Sequence, residues 1–75
     1  MKVTVKLVGG LIQTLAFSER DLELPPGTTV AELLDAIGID HSRPLIVGRN
    51  GWAIEIADEV HEGDRILVSP VFSGG

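Results

Sequence analysis

Residues 28–39 carry the feature that most restricts how this chain can fold. Thr29-Val30-Ala31-Glu32 has the spacing of a capping box, in which the threonine hydroxyl takes the backbone N–H three residues on and the glutamate reaches back to the N–H of the cap. Val30, Leu33, Leu34 and Ile37 then recur at i, i+3, i+4 and i+7, an apolar stripe, while Glu32, Asp35 and Ala36 point elsewhere. Gly38 is the residue able to take a left-handed C-cap, and Ile39 supplies the apolar contact such a cap often carries. The spacing predicts one short helix with a single face to bury. Such a helix needs a second layer to cover it.

Short strands on either side supply that layer. From residue 2 to 8 apolar Val3, Val5 and Leu7 alternate with Lys2, Thr4 and Lys6, the pattern of a half-buried strand. Gly9-Gly10 follows and can form a two-residue hairpin turn. Residues 11–17 fit neither period cleanly, and read either as a returning strand or as a loop with a helical turn. Residues 20–24 alternate again and stop at Pro25-Pro26-Gly27, giving a second strand antiparallel to the first. Beyond the helix, Leu45-Ile46-Val47 is a brief strand. Asn50-Gly51 is a strong hairpin signal because both turn positions need positive φ, so residues 52–56 return as its partner. Residues 57–63 make an acidic connection, and the run from Arg65 to Ser69 is apolar almost throughout, as expected of a central strand.

With 75 residues this is one small domain, too short for a second core. No cysteine is present, which excludes a disulfide framework, a thiolate nucleophile and a sulfur-ligated zinc or iron–sulfur site. A formal charge of −5 argues against nucleic acid, whose recognition rests on neutralising phosphates with Lys and Arg, and permits a basic protein partner. The first residues alternate like a strand and lack the apolar run of a secretory signal, and no stretch is long enough to cross a bilayer, so the expected location is the cytoplasm, with no membrane partner.

The last strand leads into Pro70, Val71, Phe72, Ser73, Gly74 and Gly75. A carboxylate at such an end is a poor electrophile, reactive only after another enzyme activates it, for instance by adenylation. Threading it into a narrow site suits glycines, which carry no side chain and take backbone conformations closed to other residues. The expected organisation is a folded domain over residues 1–69 and a flexible tail over 70–75. Two opening strands, a helix across one face, two or three short strands and a final strand beside the first make an α+β architecture, the ubiquitin-like β-grasp, with a mixed sheet of four to five strands and one main helix packed on one face.

In these terms the chain resembles the MoaD/ThiS family of ubiquitin-like sulfur carriers. The resemblance rests on Thr28-Thr29-Val30-Ala31-Glu32-Leu33-Leu34 at the helix entry, Asn50-Gly51 at the hairpin, Glu62-Gly63-Asp64-Arg65-Ile66 before the last strand, and Ser69-Pro70-Val71-Phe72-Ser73-Gly74-Gly75 at the end. It implies a carrier, not a catalyst. A ubiquitin-activating-type enzyme adenylates Gly75 with its own ATP, a sulfurtransferase supplies sulfur to form a thiocarboxylate, and a large subunit or other acceptor protein receives it. The carrier itself binds no cofactor. Gly74 is then the sterically required neighbour, Val71, Phe72 and Ser73 complete the inserted tail, and Pro70 resembles the proline that stiffens the exit in the molybdopterin synthase small subunit. That leaning toward molybdopterin biosynthesis stands beside a thiamine-type or other sulfur carrier, a protein modifier ending in an isopeptide bond, and a noncovalent β-grasp interaction module.

Other groups carry less. His41 and His61 sit in polar connections without a second ligand at motif spacing and read as surface histidines, not a metal site. Asp58, Glu59, Glu62 and Asp64 read as a solvated acidic loop, with docking to a basic groove as the smaller alternative. Gly9-Gly10 lacks the lysine of a phosphate-binding loop. No group for independent catalysis is evident. Trp52 is expected to pack in or beside the core, and Phe72 to enter a partner's pocket.

Overall fold

In a computed structural model, residues 1–71 are described. Five strands and two helices follow in the order β1 (Lys2–Leu7), α1 (Gly10–Leu15), β2 (Glu19–Glu23), α2 (Val30–Ile37), β3 (Leu45–Arg49), β4 (Trp52–Ile54) and β5 (Arg65–Pro70). The sheet order is β2-β1-β5-β3-β4. β1 and β5 run parallel, with Thr4 opposite Arg65 and Leu7 opposite Val68, and every other pairing is antiparallel. This is the expected β-grasp, with the last strand at its centre.

One face of the sheet is buried. Val3, Val5 and Leu7 of β1, Val47 of β3, and Ile66 and Val68 of β5 meet the α2 stripe of Val30, Leu33, Leu34 and Ile37. Each such side chain, fully buried, stabilises by about 1.5–3 kcal/mol relative to exposure. The capping box forms as its spacing predicts: Glu32 N–H donates to Thr29 Oγ1 at 3.2 Å and Thr29 N–H donates to Glu32 Oε1 at 3.0 Å. Gly38 closes the helix at φ 85.

The acidic connection is more structural than its composition indicates. Val30 N–H donates to Asp58 O at 2.9 Å and Ala31 N–H to Ile56 O at 2.8 Å, so this loop satisfies helix-start donors that would otherwise be orphaned. Val60 joins the core. Asp64 is not a solvated loop residue: it is 8% exposed, accepts from His61 N–H at 2.8 Å and lies 3.0 Å from Arg49 Nε. The Arg49 guanidinium also donates to Glu59 O, fastening β3 to the segment that enters β5.

Residues 9–18 resolve in favour of the helical alternative. Gly9-Gly10 makes no hairpin; α1 starts there and ends at Ala16, which takes a left-handed conformation at φ 64. A helix this short is marginal alone. It holds because Leu11, Ile12 and Leu15 pack half-buried against the core. Further along, β2 begins one residue earlier than its alternation indicates, and β4 ends at Ile54, because Glu55 N–H turns to the Asp58 carboxylate at 2.8 Å.

Leu34→Ala, at a fully buried position on the stripe, is expected to cost about 2–5 kcal/mol, and Thr29→Ala about 0.5–2 kcal/mol. Urea unfolding midpoints check both. A Leu34→Ala chain as stable as the parent would contradict the packing described.

Candidate functional site

The candidate site lies where β5 ends. Beyond Val68 the strand has lost β1, whose ladder stops at Leu7, and is flanked by β3 alone, with Ser69 opposite Ile46 and Pro70 opposite Leu45. Pro70, expected as the first tail residue, is thus the last residue of β5. Its missing N–H and fixed φ suit a position where a ladder ends. Val71 follows, exposed. Phe72, Ser73, Gly74 and Gly75, the remaining expected site residues, lie outside the described residues. Four residues of chain span at most about 14 Å.

A groove of about 380 Å³ sits at this exit, lined by Asp40, Arg43, Pro44, Leu45, Pro70 and Val71. The first four come from the α2–β3 connection and the start of β3, brought to the exit by the antiparallel β3–β5 pairing. Asp40 accepts from the Ser42 hydroxyl at 2.6 Å and the Ser42 N–H at 3.0 Å, and these bonds hold its carboxyl below the usual carboxylate range. Arg43 adds a cation to the lining. Neither group can turn a nearby carboxylate carbon into an electrophile, which takes transfer of a phosphoryl or adenylyl group. What the exit offers is a proline-anchored departure from the sheet, framed by one acid and one base.

The other singled-out residues sit away from it. His41 Nε2 is 2.9 Å from Asp35 Oδ1, tying the connection to α2, and His61 is exposed with Nδ1 3.9 Å from Asp64. Glu62 accepts the Lys2 N–H at 3.0 Å. Trp52 is neither core nor half-buried: it is 78% exposed, because it directly follows the Asn50-Gly51 turn at the tip of the β3–β4 hairpin, beyond the reach of α2. The residues the sequence reading missed are Asp40, Arg43, Pro44 and Leu45. They read as an ordinary connection until strand order places them beside the exit.

The ThiS family model matches residues 5–75. Among solved structures, the chain is similar to the SAMP1 protein of Haloferax volcanii, at 20% identity and a TM-score of 0.82 with both chains fully covered. It is also similar to a Pyrococcus furiosus protein described as a candidate molybdopterin converting factor subunit 1, at 26% identity and a TM-score of 0.78, covering 93% of this chain and 97% of the other. A third likeness is to a Helicobacter pylori chain in the complex of subunits 1 and 2 of molybdopterin-converting factor, at 17% identity and a TM-score of 0.64, with both chains fully covered.

As the sole tryptophan, Trp52 is expected to emit in the native state close to a free indole in water and to be quenched readily by acrylamide. A blue-shifted, quencher-resistant emission would contradict its exposed position.

Proposed function

The chain belongs to the ThiS family of ubiquitin-like sulfur carriers, and we propose that it carries sulfur as a thiocarboxylate on Gly75. The observation that carries this reading is the family match running through residue 75 on a fold whose central strand leads directly to that end. In the proposed sequence, the Gly75 carboxylate attacks the α-phosphorus of ATP on an adenylating enzyme, releasing pyrophosphate. A sulfurtransferase persulfide then displaces AMP from the acyl carbon, the departing AMP carrying one former carboxylate oxygen, and a reducing thiol cleaves the resulting acyl disulfide to leave the thiocarboxylate and a disulfide. The mixed anhydride supplies the leaving group that a bare carboxylate lacks.

Within this role Gly74 keeps the approach to the activating site free of side chains, and Ser73, Phe72 and Val71 fill the channel leading to it. Pro70, held in β5 opposite Leu45, sets the direction of departure. The acceptor we propose is the large subunit of a molybdopterin-forming synthase. It is supported by the likeness, over nearly the whole chain, to the Pyrococcus furiosus subunit 1 protein, and by the two-subunit complex of the Helicobacter pylori protein. Transfer to a thiamine-type acceptor, or an isopeptide bond to a lysine, would use the same first step and differ in the product.

ATP–pyrophosphate exchange by the adenylating enzyme of the same source tests that first step. The parent chain is expected to support exchange, and a chain with one residue appended after Gly75 to abolish it; equal exchange by both would refute a reactive terminal carboxylate. Phe72→Ala is expected to raise the KM for the carrier by about fivefold or more while leaving the thermal midpoint unchanged. An unaltered KM with a lowered midpoint would place Phe72 in folding instead of docking.

A further inference from the structure

Most of the lysines and arginines, six in all, already have partners. Lys2 faces Asp21 at 3.4 Å, Arg49 faces Asp64 at 3.0 Å, Arg65 faces Glu19 at 3.4 Å, and Arg20 lies 4.0 Å from the centre of the Phe17 ring. Lys6 and Arg43 have no carboxylate within ion-pair distance among the described residues. Lys6 stands on β1, which ends before the exit, whereas Arg43 lines the exit groove beside Val71. Asp40, in the same groove, is already served by the Ser42 hydroxyl at 2.6 Å and the Ser42 N–H at 3.0 Å. Arg43 is therefore a cation at the exit with no anion assigned to it.

The rest of the groove, about 380 Å³ in volume, is walled by Pro44, Leu45, Pro70 and Val71, whose side chains carry no hydrogen-bonding group. A stretch of backbone without side chains can lie flat against such walls. Gly74 and Gly75 are of that kind and within reach, because the four residues after Val71 span at most about 14 Å. Glycine also takes the left-handed backbone angles that a tight reversal needs. An arginine fork presents parallel N–H donors that match a carboxylate. On a chain of net charge −5, Arg43 is the cation placed to receive the carboxylate of Gly75.

We propose that the exit groove is a resting site for the chain's own end, in which Ser73, Gly74 and Gly75 turn back over Pro44 and Leu45 and the Gly75 carboxylate pairs with Arg43. The inference rests on the reading of Gly75 as the carboxylate-bearing end, and not on its adenylation. Phe72 takes no part in the latch and is left for a partner's pocket. A partner that threads the end must first release it, so the apparent Kd rises by the inverse of the fraction of chains released. An exposed ion pair holds only a modest excess of latched chains and adds little to the stability of the domain.

Nuclear Overhauser spectra of the isotope-labelled full chain test this. Contacts are expected from the α-protons of Gly74 and Gly75 to the Leu45 methyls and the Pro44 ring, and a mixture of labelled and unlabelled chains should show them only within one chain. Arg43→Gln, at an exposed position, is expected to reduce their intensity at least about twofold with the thermal midpoint unchanged. Amidation of the Gly75 carboxylate should do the same, and the two changes together should cost no more than either alone, since both remove one pair. The latch is overturned if the parent shows no such contacts, if they survive Arg43→Gln or amidation, if the two losses add, or if the contacts run between chains, which would make a second copy the occupant. None of these readouts involves ATP. A chain that latches but supports no ATP–pyrophosphate exchange would refute the carrier reading alone, and one that supports exchange without these contacts would refute the latch alone.

Discussion

The parallel pairing of β1 with β5 is the constraint on which the rest of this fold depends. Parallel strands cannot be joined by a tight turn, so everything between Leu7 and Arg65 acts as a crossover, with α2 as the part that covers the sheet. The pairing sets Val5 beside Ile66 and Leu7 beside Val68, and that quartet forms the floor on which Leu33 and Leu34 rest. It also joins two ends of the chain that are far apart in sequence, a non-local contact whose loop-closure cost falls early in folding and whose reward comes late. The fastening at the entry to β5 gains meaning from this. Thr4 N–H donates to Asp64 O at 2.9 Å and Gly63 N–H to Lys2 O at 2.8 Å, while the Arg49–Asp64 ion pair ties in β3. The strand that leads to the tail is held at its start from both sides.

In the proposed carrier, a central strand with one neighbour withdrawn at its end would serve to present the residues that follow it. β5 is locked by β1 and β3 up to Val68, then by β3 alone to Pro70, so its final residues pass from paired on both edges to paired on one. Under the proposed carrier role, stiffness behind the activated end would reduce the conformational freedom lost when a partner takes hold of it. The proposed carrier chemistry needs little else from this chain.

The parts of the fold written in local chemistry were legible. The capping box at Thr29 and Glu32, the stripe from Val30 to Ile37 and the turn at Asn50-Gly51 each depend on neighbours in sequence, and each appears where its residues place it. What escaped was set by distant partners. α1 is too short for a period to declare itself, and its apolar residues turn inward because the core lies beside them. Trp52 was expected inside because it is large and apolar, yet the hairpin that displays it overhangs the layer α2 covers. Asp64 looked like one acid among several until Arg49 arrived from another strand. The apolar run of β5 indicated a central strand, which it is, although Leu67 faces the uncovered side of the sheet. At the exit, Asp40, Arg43 and Leu45 read as an ordinary connection, and the frame they supply emerges from strand order alone.

The central claim is that Gly75 becomes the bearer of sulfur. The intact mass of the chain, after incubation with ATP, the adenylating enzyme of the same source and a sulfur donor, tests it most directly, with a Gly75-deleted chain as control. The account predicts a gain of about 16 Da, one oxygen replaced by sulfur, confined to the full-length chain. An unchanged mass in a folded chain, or an equal gain in the deleted control, would contradict it.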